Sequence, residues 1–166
     1  MRSISIRYGL RLTLALLVLF SLAHLTGAIH HPGLRFVNGF FHVGFIYLAI
    51  RKYRIEYPRE WNYASGVGTG VVAGMIGTLL FAVAVGTFLG LRPDVMADIA
   101  AHTRVAQYLS PVTAAAVMVV EGFAVTAFAS YFVMRLVDAD RKARSLANQQ
   151  LATRYAPISP NSTPSE

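Results

Sequence analysis

Between Gly66 and Gly90 every fourth residue is small: Gly66, Gly70, Gly74, Thr78, Ala82, Gly86 and Gly90. Val71, Met75, Ile76, Leu79, Leu80, Phe81, Val83 and Phe88 are among the residues between them, and no charge interrupts the run. As a helix of about 25 residues the stretch is ~37 Å long, enough to cross the hydrocarbon core of a bilayer with tilt. Small residues four apart let a second helix approach backbone to backbone, the main packing device in lipid. The run therefore predicts a membrane-crossing helix touched closely by others. Four residues turn a straight helix by about 400°, so the row drifts about 40° per step. Gly66, Gly70 and Gly74 are accordingly expected to meet one neighbour, and Ala82, Gly86 and Gly90 another.

Composition points the same way. The 166 residues are 55% hydrophobic and 14% charged, with a mean hydropathy of +0.49, whereas soluble domains carry about a quarter charged residues. The chain has no cysteine, which excludes disulfides, thiolate zinc sites, iron–sulfur clusters and cysteine nucleophiles. A net charge of +7 would suggest nucleic acid in a soluble protein. Here the cations lie at the ends of apolar segments, and no nucleic-acid partner is expected.

Four spans emerge, at about 10–29, 34–53, 66–91 and 111–137. The first follows Arg2 and Arg7 and is expected to be a retained helix rather than a signal peptide, because its apolar stretch is long for such a leader. His30-His31-Pro32-Gly33 marks a turn, and the second span ends at Arg51-Lys52-Tyr53-Arg54. Tyr57, Trp61 and Tyr63 in the following connection are residue types that settle at the headgroup level. Between the third and fourth spans, Val95, Met96, Ile99, Val105 and Leu109 share one helical face, away from Asp94, Asp98 and Arg104. That pattern predicts a short amphipathic helix on the extracytoplasmic surface. Ser110-Pro111 predicts the N-cap and first residue of the last span. From Asp138 the tail (138–166) is basic, then rich in Pro and Ser and expected to be disordered from Ala156.

Arginine and lysine counts set the orientation. Twelve lie at the N-terminus, in the second connection or on the C-terminal side from Arg135 onward, against Arg35, Arg92 and Arg104 in the other connections. Positive charge stays inside, so both termini are expected in the cytoplasm. The fold class predicted is thus all-α, a four-transmembrane-helix integral protein with one extracytoplasmic amphipathic helix.

Arg7-Tyr8-Gly9-Leu10 at the first span, Trp61-Asn62-Tyr63-Ala64 leading into Gly66-Val67-Gly68-Thr69-Gly70, and Pro93-Asp94 beyond the third span carry a resemblance. Over residues 1–137 the chain resembles a bacterial family of four-pass membrane proteins catalogued as domain of unknown function 4199. The resemblance implies four helices and a bacterial cytoplasmic (inner) membrane address. It brings no activity, cofactor or catalytic residue.

Few residues could carry chemistry. Glu121 is the one acid inside an apolar span, ten residues or about 15 Å from Pro111 and so near mid-membrane. A carboxyl there costs a few kcal/mol and must face other helices or water. Its role is either a proton or cation site or a group that fixes packing. His24 and His42 lie at similar depth, where they could bond across helices, or to Ser21, Thr26 or Asn38, or as a pair hold a b-type haem. His30-His31 reads as a solvated turn rather than a metal site. Gly66–Gly70 is no nucleotide loop, having neither a preceding strand nor a following Lys-Ser/Thr. No cofactor and no catalytic residue is expected, and the chain is not expected to be an enzyme. The leading expectation is an accessory or scaffolding subunit, with the lipid bilayer and other membrane subunits or a second copy as partners. The alternatives are a small oligomeric transporter or proton conductor using Glu121, and a cytochrome-like electron carrier.

Overall fold

The computed structural model describes residues 2–28, 33–101, 108 and 110–154, without the side chains at 35, 141, 144, 152 and 153. The described residues are all-helical, with α1 (Arg2–Leu25), α2 (Gly33–Glu56), α3 (Tyr63–Leu91), α4 (Pro93–Ala101) and α5 (Pro111–Arg154). It divides into two compact units, Met1–Met134 and Arg135–Glu166. In the second unit α5 continues as far as Arg154, with Lys142 bridged to Asp138 at 3.2 Å and Leu146 and Leu151 exposed. His30, His31, Arg104, Val105, Leu109 and the tail expected to be disordered lie outside the described residues.

Among the described residues, three helices are long and apolar enough to cross a membrane: Arg2–Leu25, Tyr63–Leu91 and Pro111–Leu151. α2 is as long as α1, at 24 residues. Asn38 and His42 lie within its apolar stretch, and Arg51, Lys52, Arg54 and Glu56 occupy its last turns.

The helices begin and stop where caps place them rather than where hydropathy changes. α1 begins at Arg2, well before the apolar span, because Arg, Leu and Ile all continue a helix and only hydropathy distinguishes them. It ends where Gly27 adopts φ +70°, a left-handed conformation suited to glycine, with its N–H donating to the His24 carbonyl at 3.3 Å. α3 starts at a reciprocal cap. Ser65 N–H donates to Asn62 Oδ1 at 2.8 Å and Asn62 N–H to Ser65 Oγ at 3.0 Å. At its other end Arg92 precedes Pro93 and bonds Asp94 through two nitrogens, at 3.0 and 2.8 Å. The guanidinium beside Asp94 holds that carboxyl down to about 2. Ser110 caps α5, its Oγ accepting the Thr113 N–H at 3.1 Å, with Pro111 as the first helical residue.

α3 is the element the others pack on. α1 runs parallel to it in a fixed register. Ser5 Oγ donates to the Thr69 carbonyl at 3.2 Å, and Thr13 Oγ1 shares its proton between the Gly9 carbonyl of its own helix at 3.0 Å and the Gly77 carbonyl at 3.3 Å, both interhelical pairs 64 residues apart. The approach is close because of glycine. A Cβ on Gly9 would lie 2.9 Å from the Ala73 carbonyl oxygen, and one on Gly77 would lie 2.8 Å from Leu12 Cγ. Leu12, Leu16, Phe81, Val85, Leu89 and Val95 form the buried apolar cluster beyond, the last of these bringing in α4. α2 runs antiparallel to α3, setting Ile46 and Ile50 beside Gly70.

α5 also runs antiparallel to α3, and four steps forward on one helix meet four steps back on the other. A Cβ on Gly66 would strike Met134 Sδ, one on Gly70 the Ser130 hydroxyl, one on Gly74 the Thr126 side chain, and one on Gly122 the Thr78 side chain. Apart from Met134, both helices therefore carry small or hydroxyl residues along the shared line. The expected division of the row between two neighbours is not what occurs. Gly86 also meets α5, with its Cβ position 3.0 Å from Ala115 Cβ, and Gly90 has no neighbour within 4 Å. The step from Gly122 to Ala115 is seven residues, which returns to nearly the same face of α5, so the partner stays in contact as the row on α3 drifts.

Substitution at the close approach should separate from substitution off it. Gly74→Leu is expected to lower unfolding stability in detergent by at least about 1–3 kcal/mol through overpacking, and Gly90→Leu by under about 0.5 kcal/mol. Equal losses in a denaturant titration would contradict the α3–α5 line.

Candidate functional site

Two places in the first unit bear on function, one buried and one exposed. The buried one is built on α2 and α3. His42 is buried, and its Nδ1 lies 3.2 Å from the Asn38 carbonyl oxygen, one turn earlier. A carbonyl only accepts, so Nδ1 carries the proton, and the neutral ring then offers its Nε2 lone pair. Thr78 Oγ1 donates to that nitrogen across the helix interface at 3.0 Å. Thr78 is the middle member of the small-residue row, and the Gly122 backbone of α5 packs against it. A single threonine thus bonds α2 and receives the close approach of α5.

Farther along the α3–α5 line, Thr126 Oγ1 and Ser130 Oγ are fully buried and have no hydrogen-bond partner. Leaving such a hydroxyl unsatisfied costs about 1–3 kcal/mol each. Here the side chains fill the space opposite Gly74 and Gly70, so they contribute through shape.

The exposed place is Glu121. It precedes Gly122 by one residue, about 100° around the helix, and that rotation carries it from the α3 contact to the outside of the bundle. Among the described residues it makes no hydrogen bond or ion pair. Val117, Glu121, Ala124, Phe128 and Tyr131 recur at steps of four, three, four and three, and all five are exposed. Phe128 is 74% exposed, so nothing among the described residues covers it, while Tyr131 meets Tyr63 of α3 edge to face, centroids 6.4 Å apart.

The titratable groups singled out in the sequence are not brought together. His24 packs its ring edge-on against Phe88, centroids 5.5 Å apart, in the same parallel register as the rest of α1 on α3. No hydrogen bond or ring contact joins His24, His42 and Glu121 among the described residues. A bis-histidine haem would need an Nε2 or Nδ1 lone pair from His42, and both of its nitrogens are already engaged. Of the expected partners, Asn38 contributes its backbone carbonyl, while Thr26 turns its hydroxyl back to the Leu22 carbonyl at 2.8 Å. No three His, Asp or Glu side chains converge among the described residues. Of the seven packing residues, Gly66, Gly70, Gly74, Thr78, Ala82 and Gly86 are buried or half-buried, and Gly90 is exposed. The missed residues are Gly122, Thr126 and Ser130, although the same four-residue spacing of small side chains announces them.

No family model matches the chain, and neither a curated protein nor a solved structure does.

The His42–Thr78 bond has a measurable consequence. Thr78→Val keeps the shape and removes the donor, and is expected to cost about 1 kcal/mol of unfolding stability in detergent, within the range of intramembrane hydrogen bonds. In a double-mutant cycle with His42→Leu the second substitution should add little. Strict additivity would show that the bond contributes nothing.

Proposed function

We propose that the chain is a non-catalytic four-pass protein of a bacterial inner membrane that serves as an accessory or scaffolding subunit, packing against other membrane helices. α2 is the fourth crossing in this reading. Its 24 residues reach about 36 Å. Its buried face, with Ile46, Ala49, Ile50 and Tyr53, turns inward, and its exposed face carries Phe36, Phe40, Val43 and Leu48. Short α4, with Val95 buried and Asp94 exposed, is the extracytoplasmic amphipathic element. Arg2, Arg7, Arg11, Lys52 and Arg54, near the start of α1 and the end of α2, mark the cytoplasmic end of the bundle by the positive-inside rule.

The observation that carries the functional reading is the outward placement of Glu121. Near mid-membrane an acidic side chain facing lipid costs about 2.5–3.5 kcal/mol even on lenient insertion scales. A partner helix that bonds the carboxyl removes that cost, and Val117, Ala124, Phe128 and Tyr131 provide the apolar seam around it. Neither imidazole bonds Glu121, which favours an assembly contact over a proton path through a single chain.

Purification in a mild detergent tests the reading. The chain is expected to elute in an assembly larger than its 18.1 kDa. Glu121→Leu should weaken that assembly about 5- to 30-fold, the equivalent of about 1–2 kcal/mol for an intramembrane hydrogen bond, and Glu121→Gln should largely preserve it. A single-chain particle unaffected by Glu121→Leu would contradict the proposal.

A further inference from the structure

Where α1 begins and α2 ends, Ile4, Arg7, Tyr8, Arg11, Lys52 and Glu56 line a cleft of about 280 Å³. Arg7 and Arg11 lie one turn apart on the same face of α1. The Arg11 guanidinium lies 5.1 Å from the Tyr8 ring centroid, a cation–π contact that holds its direction. On the α2 side Lys52 Nζ is 3.0 Å from Glu56 Oε1, so those two charges offset each other. Neither arginine has a carboxylate partner among the described residues. Two like charges one turn apart repel, and an anion entering the cleft would relieve that repulsion.

The surface leading away from the cleft is apolar. Leu10, Leu14 and Val18 continue the Arg7–Arg11 face along α1 at steps of three and four, and all are exposed, Leu14 at 65%. A cationic cleft at the end of an exposed aliphatic stripe has the chemistry of a phospholipid, with headgroup phosphate at one end and acyl chain along the other. Guanidinium groups suit the charged end because their paired N–H donors match phosphate oxygens. We infer that this cleft binds the phosphodiester of an anionic phospholipid, gripped by Arg7 and Arg11, with an acyl chain lying along Leu10, Leu14 and Val18. The inference rests on the membrane reading and is independent of any accessory role.

The test uses the full chain alone in a neutral detergent, titrated with phosphatidylglycerol and followed by native mass spectrometry. Phosphatidylglycerol is expected to bind at least tenfold more tightly than phosphatidylcholine. Arg7→Gln with Arg11→Gln should weaken it about thirtyfold, on the basis of the usual contribution of a basic residue at an anionic membrane surface. Arg2→Gln, which removes a nearby charge outside the cleft, should leave it unchanged. Glu56→Gln frees Lys52 and should tighten binding about fivefold. Should the glutamine pair fail to insert, Arg7→Lys with Arg11→Lys keeps the charge, and loss of the paired donors should still weaken binding several-fold. The proposal is overturned if phosphatidylcholine binds equally, or if both double variants bind like Arg2→Gln. Complete displacement of phosphatidylglycerol by millimolar inorganic phosphate would identify a free-phosphate site and overturn it equally. Because no partner is present, these outcomes do not depend on whether the chain assembles with others.

Discussion

The close approach of backbones at α3 is the constraint on which the rest of the bundle depends. In lipid, apolar side chains gain nothing from leaving water, so helices associate through contact area and hydrogen bonding. Both improve as the axes draw together, and here glycine permits it: Gly9 on α1, Gly70, Gly74 and Gly77 on α3, and Gly122 on α5 each face a partner that a Cβ would strike. The short distance then brings short polar side chains within reach of another helix. Ser5 and Thr13 bond carbonyls of α3, and Thr78 bonds an imidazole of α2. Thr126 and Ser130 stand at the same interface without partners, which places the weight of the α3–α5 contact on fit.

Much of this was legible in the chain, and the exceptions have physical causes. The row from Gly66 to Gly86 was readable because small residues at four-residue spacing serve a purpose that few other constraints imitate. The three apolar helices α1, α3 and α5 were readable because hydropathy reports length in hydrocarbon. Their ends were not, since a helix stops at caps such as Asn62–Ser65 or at Gly27, and Arg2–Arg11 continue α1 well outside its apolar part. The facing of Glu121 was also hidden. In a soluble helix a polar face marks the outside. In a membrane both faces are apolar, so sequence gives depth while the angle around the helix depends on the partner. Depth alone grouped His42 with His24, whereas the register of α2 on α3 gives it Thr78.

Placing α3 at the centre leaves the other helices with outer faces to use. On α5, the step from Gly122 to Glu121 divides a packed side from an open one. On α1, Ser5, Gly9 and Leu12 face inward while Arg7, Leu10, Arg11 and Leu14 face out. One of these outer faces carries an acid deep in the span, and the other two cations near its end. The proposed occupants differ accordingly: a helix that can bond a carboxyl for the first, and a headgroup that brings negative charge for the second. In the interior, His42 uses both ring nitrogens to join α2 to α3.

The native absence of cysteine makes the central claim directly accessible. Disulfides form only where Cα atoms come within about 7 Å, and one helical turn is about 5.4 Å along the axis, so crosslinking reads the register between α3 and α5. With Gly70→Cys and Ser130→Cys in one chain, oxidation in native membranes should give near-complete intramolecular crosslinking. Gly70→Cys combined with Gly122→Cys, two turns away, should give almost none. Efficient crosslinking of the second pair, or failure of the first in a folded chain, would contradict a bundle organised around the glycine line of α3.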